Sequence, residues 1–157
     1  SLDEKKIALM KDIRSEDGFN SKFKALSAVK KNGRDLEYTS KELKADKEVV
    51  MASVNEDGRA LQFASAKLRD NKQVVMTAIK NTGIQRTPLQ YASTKLRDDR
   101  EVVMTALKKG YEVSSTPLQY ASTKLRDDRE VVMAALKTSG HGHLQYASKR
   151  LKTLEDW

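Results

Sequence analysis

The sequence has no cysteine, only two prolines and two histidines among 157 residues. Without cysteine there is no disulfide scaffold and no thiolate metal site, and the composition fits a reducing compartment such as the cytoplasm. Long hydrophobic runs are missing as well. The longest apolar stretches are a few residues, against the roughly 20 that a membrane-spanning helix requires, so no membrane is expected as a partner. No apolar segment of the signal-peptide kind follows the N-terminus, and Ser1 stands in place of an initiator methionine. The expectation is an excised fragment of a longer protein or the scar of a tag. Aromatic residues make up only 6% of the chain and charged residues 33%, so the surface is well solvated.

Charge is plentiful but evenly spread. The net charge of +8 invites a polyanionic partner, and its distribution weakens that invitation. Segments 1–35, 36–60 and 61–88 carry +3, −2 and +4, and each of 89–117, 118–143 and 144–157 carries +1. The surplus is not massed in a tail or a stripe. By length the chain is one domain, able to bury roughly two-thirds of its unfolded surface.

The dominant feature is repetition. The stretch TPLQYASTKLRDDREVVM fills 87–104 and returns unchanged at 116–133. Anchored on the leucine before an aromatic, the copies begin at Leu36, Leu61, Leu89, Leu118 and Leu144, with spacings of 25, 28, 29 and 26 residues. The aromatic column is Tyr38, Phe63, Tyr91, Tyr120 and Tyr146, followed by a serine column from Ser40 to Ser148 and a leucine column from Leu43 to Leu151. The letters VVM recur at 49–51, 74–76, 102–104 and 131–133. Residues 1–35 read as a degenerate copy in which ALSAVK stands where VMTALK stands later, and 144–157 as a half-copy. A period of this size means a stack of small units, each burying its apolar face only against its neighbours.

Each unit reads as two short helices. Thr87 is the expected N-cap of the first, with Pro88 at N1 and Gln90 completing a capping box. Leu89, Ala92, Ser93 and Leu96 then recur at helical spacing as one narrow stripe. The second helix is expected to open on Asp98 with Glu101, as on Asp127 with Glu130 and on Asp70 with Gln73. Its buried face is Val102, Val103, Ala106 and Leu107, and Lys108, Lys109 and Gly110 close it. The expected fold is an all-α solenoid of helix-turn-helix repeats, with one degenerate copy at 1–35, full copies at 36–60, 61–88, 89–117 and 118–143, and the half-copy at 144–157. The half-copy and Trp157 leave an apolar end that invites self-association.

The run LQYAS-x-x-LRDDREVVM-x-A-[LI]-K, followed by a glycine turn, resembles the repeats of domain of unknown function 4116, which occur in tandem within larger bacterial and protist proteins. The match is close at 61–82, 89–110 and 118–140 and looser at 36–58. The resemblance implies helical repeats. It implies no activity, because none is assigned to that family.

Several columns invite functional readings. The aromatic rings could stack nucleic-acid bases, though packing between copies is the favoured role. Met51, Met76, Met104 and Met133 could form a soft binding surface, with filling of the core seam favoured instead. The polar face of the first helix is the candidate interaction face: Gln62, Gln90, Gln119 and Gln145, with Arg69, Arg97 and Arg126 and with Lys44 and Lys152 at the ends. His141 and His143 lie in a glycine-rich stretch with no third ligand, so no metal and no cofactor are expected. The repeated serines have no matching histidines, and Gly140-x-Gly142 lacks the rest of a phosphate loop. Catalysis is not expected. The reading is an interaction or scaffold module with a protein partner, and the alternative is a basic solenoid that binds the RNA or DNA backbone through its Arg/Lys column.

Overall fold

The computed structural model describes residues 1, 3–8, 18–112 and 115–154, and among them every regular element is helical. Their contacts group into two units, Ser1–Asn81 and Thr82–Trp157. The first holds α1 (3–8), α2 (Gly18–Lys31), a 3-10 turn (Gly33–Tyr38), α3 (Lys41–Lys44), α4 (Lys47–Glu56), a second 3-10 turn (Gly58–Phe63), α5 (Ala66–Arg69) and α6 (Lys72–Lys80). The second holds a 3-10 turn (Pro88–Tyr91), α7 (Thr94–Arg97), α8 (Arg100–Lys109), a 3-10 turn (Pro117–Tyr120), α9 (Thr123–Arg126), α10 (Arg129–Ser139), a 3-10 turn (His141–Tyr146) and α11 (Lys149–Lys152). Trp157 lies outside the described residues. The fold is an all-α repeat fold.

Each copy is a triplet rather than a helix pair. The single helix expected over 87–97 is broken at Ala92 and Ser93, whose backbones are extended at φ −66, ψ 156 and φ −60, ψ 158. Thr87 caps the 3-10 turn as expected, accepting from the Leu89 amide at 3.3 Å, with Pro88 behind it. The serine that follows starts a new helix. Its hydroxyl oxygen accepts from the Leu96 amide at 3.2 Å, offering the backbone a fresh N-cap in place of a continued helix. Ser40, Ser65, Ser122 and Ser148 repeat this cap. The glutamine half of the capping box is not formed. Gln90 and Gln119 make no side-chain hydrogen bond among the described residues.

The long helices begin one residue later than the sequence pattern suggests. Their N-caps are Asp46, Asn71, Asp99 and Asp128, and Asp99 accepts from the Val102 amide at 3.1 Å. Asp98 and Asp127 instead end the preceding short helices and reach the next copy. Asp98 accepts from the Ser122 hydroxyl at 2.5 Å, and Asp127 accepts from Ser148 and, at 3.1 Å, from Arg150 Nε. Those two bonds, Ser148 first, hold the Asp127 carboxyl below its usual range. The serine amides add a backbone staple: Ser65 to the Lys44 carbonyl at 2.9 Å, Ser122 to Arg97 at 3.0 Å and Ser148 to Arg126 at 2.9 Å. Each of Ser122 and Ser148 thus caps its own helix and ties it to the copy before.

The valine pairs form the core seam. Val102, Val103 and Ala106 are wholly buried and Leu107 nearly so, with Val74, Val75, Ala78 and Ile79 in the same positions one copy earlier. In the first unit α2 packs on α4 and α4 on α6, and in the second α8 packs on α10. Ala25 and Val29 of the degenerate copy are fully buried, so α2 holds the place of a long helix. Gly33 lets the chain pass close beneath α4, since a Cβ there would come within 2.3 Å of the Ser53 carbonyl. Gly110 ends α8 at φ 72, as the sequence suggests. Leu136 and Leu144 are only half-buried, whereas their counterparts Leu107 and Leu118 are covered. The half-copy offers no further long helix among the described residues to cover them.

The methionines do not fill the core. Met51, Met76, Met104 and Met133 are all half-exposed. Each residue turns an α-helix by about 100°, so the step past the second valine leaves the buried arc.

Candidate functional site

The arginine column stands at the last residue of each short helix: Arg69 on α5, Arg97 on α7 and Arg126 on α9. The sequence reading placed these residues on an exposed polar face, and the structure shows them less exposed than that. All three are half-buried, and each Nε is enclosed with no hydrogen-bond partner. The cause is visible at Arg97 and Arg126, whose carbonyls are the ones stapled by the next copy's serine amide. That staple draws the next copy against the end of the short helix that carries each arginine.

The other members of the face are less uniform. Gln90 and Gln119 are half-buried in the 3-10 turns before these short helices, Lys44 is half-buried, and Gln145 and Lys152 are exposed. Gln62 folds back, donating to the Arg59 carbonyl at 3.1 Å. Arg97 Nη2 lies 3.5 Å from the Thr94 hydroxyl, and Arg69 and Arg126 make no side-chain hydrogen bond among the described residues.

A division of labour runs through the cations. At the heads of long helices, or at the equivalent position of α2, they bridge to the copy that follows. Lys22 pairs with Asp46 at 2.9 Å and Glu48 at 2.8 Å, and Arg100 pairs with Asp128 and Glu130. Glu48 and then Asp46 hold the Lys22 ammonium above its usual range. None of Arg69, Arg97 and Arg126 has a carboxylate partner among the described residues. The acids adjacent to Arg97 and Arg126, namely Asp98 and Asp127, already serve Ser122 and Ser148. Positive charge in the column is therefore unneutralised.

Four stretches, 24–69, 46–86, 71–115 and 114–152, match the family described as Domain of unknown function (DUF4116). The chain belongs to this family. No curated protein and no solved structure matches it. For a DUF4116 chain the repeated serines are now explained: in the described copies they are helix caps, and Ser122 and Ser148 also serve as inter-copy staples.

His143 departs most from expectation. It lies in a 3-10 turn, in the column that holds Pro88 and Pro117 in earlier copies, and is 1% exposed. Its Nδ1 is 2.9 Å from the Thr116 hydroxyl, its Nε2 has no partner, and burial lowers its pKa. Among the described residues no group of three His, Cys, Asp or Glu side chains could hold a metal ion. No helix among them is long and apolar enough to cross a membrane.

The aromatic rings are half-buried rather than enclosed. Tyr91, Tyr120 and Tyr146 make no hydroxyl hydrogen bond among the described residues. The Tyr38 hydroxyl accepts from Lys6 Nζ at 3.1 Å. Two features of this DUF4116 chain had no clear signal in the sequence. Tyr111, in the loop after α8, is 3% exposed, and burial pushes its pKa up to about 12. A groove of about 510 Å³ opens between α8 and α10, lined by Met104 and Met133 among others.

Proposed function

We propose that this DUF4116 chain is a non-catalytic interaction module that holds an acidic segment of a protein partner along the Gln/Arg column. The observation that carries the reading is the unneutralised charge of Arg97 and Arg126, half-buried and in register one copy apart. A guanidinium whose stem is packed loses less freedom on binding, and its planar fork suits a carboxylate. The serines of these copies are occupied as caps, which supports a structural rather than a nucleophilic role.

A second reading, binding of the RNA or DNA backbone, draws on the half-exposed rings of Tyr91 and Tyr120 in the same copies. One experiment separates the two. The protein is titrated with a labelled polyglutamate peptide and with single-stranded RNA over a range of salt, alongside the R97Q/R126Q variant. The first reading expects peptide binding that the variant weakens about tenfold, as loss of charge-assisted hydrogen bonds would. It is overturned if the variant binds the peptide equally well. RNA binding that falls steeply with salt and is lost in Tyr91→Ala/Tyr120→Ala favours the second.

A further inference from the structure

Two methionines that the sequence assigns to the core line an open groove instead. Met104 of α8 and Met133 of α10, with Ala134, make its floor. Thr138 also borders the groove, with its hydroxyl turned back to the Ala134 and Ala135 carbonyls at 3.2 and 3.1 Å. One turn beyond each methionine stands a lysine, Lys108 on α8 and Lys137 on α10. Both lysines are exposed, and neither ammonium has a carboxylate partner among the described residues. The rim acid Glu130 gives its carboxylate to Arg100.

Lysine in a final helical turn is favoured by the helix dipole alone. The dipole does not account for a methionine left half-exposed directly above it in both helices. In α4 the position of Lys108 is taken by Asn55, whose side-chain oxygen lies 3.5 Å from Asn81 Nδ2. In α6 a lysine, Lys80, again stands one turn beyond Met76, and the groove itself lies between α8 and α10, where two such pairs meet. Methionine is the side chain best able to reshape around an incoming apolar group.

We propose that this groove docks a short segment of another protein in which apolar side chains are flanked by Asp or Glu. The apolar groups enter between Met104 and Met133, and the carboxylates meet Lys108 and Lys137. Arg97 and Arg126 lie on other helices and take no part, so this site stands or falls independently of the arginine column.

The test uses protein labelled with carbon-13 at its methionine methyls and a synthetic amphipathic peptide of about twelve residues, rich in leucine and glutamate. The Met104 and Met133 signals should move on titration while those of Met51 and Met76 stay in place. Lys108→Glu/Lys137→Glu, at exposed positions that leave the fold intact by circular dichroism, should weaken binding about tenfold or more. The inference is overturned if both methyls stay still up to about 1 mM peptide. It is equally overturned if a peptide with lysine in place of glutamate moves them as well. Movement caused only by anionic phospholipid vesicles would make a lipid surface the occupant and also overturn it.

Discussion

His143 is the residue whose environment makes the sharpest prediction. Its ring is buried, with one nitrogen against the Thr116 hydroxyl and the other without a partner. Desolvation lowers its folded pKa below the ordinary value of about 6.5. Between the folded and ordinary values the unfolded chain therefore binds more protons, and stability rises with pH there. Stability should be full above about pH 6.5 and fall as pH drops through that value toward the folded one. Thermal melts across this window should show the slope in the native chain and lose it in His143→Leu. An equal slope in the variant would assign the effect to other groups. Neither the burial of this ring nor its partner could be read from Ser-Gly-His-Gly-His, because glycines suggest a loose loop. That His143 shares the column of Pro88 and Pro117 follows from its place before Leu144, but only packing shows that the ring in that column is buried.

At the scale of elements, the two aspartates of each duplicated copy have separate work. Asp99 is the N-cap of α8, so Asp99→Ala should cost about 1 kcal/mol through loss of that cap. Asp98 instead accepts from Ser122 in the next copy, so its effect should depend on that serine. A double-mutant cycle of Asp98→Ala with Ser122→Ala, followed by urea unfolding, should show coupling of about 0.5–1 kcal/mol. Additive effects would mean that the staple contributes nothing. The sequence pattern Asp-Asp-Arg-Glu favours the first aspartate as the cap, because Asp98 has a glutamate three residues on and Asp99 has a valine. The choice between them is set by where the short helix ends, which depends on the serine cap upstream.

For the whole molecule, stability rests on copies that bury one another. Leu96 is 3% exposed on α7 and belongs to a column repeated at Leu68, Leu125 and Leu151. Leu96→Asp should abolish the cooperative melt of the unit 82–157, since an unpaired buried charge costs far more than one contact contributes. Retention of the native helical signal and melting temperature would contradict a stacked core. Much of this fold was legible in the letters. The repeat, its phase, the valine seam and the glycine stop at Gly110 follow from periodicity and local capping, which act between residues a few positions apart. The candidate face was legible as a column but not as an environment. What surrounds Arg97 and Arg126 depends on the serine of the next copy, some 25 residues on along the chain. The methionines went the same way: their spacing beside the valine pair placed them at the seam, and packing leaves all four half-exposed. Sequence by itself determined that this chain is a tandem series of helical copies, because each local signal is written several times over. Tertiary structure alone decided which charges are neutralised, which rings and methionines face outward and which histidine is dry, because those properties belong to contacts between copies rather than to any one of them.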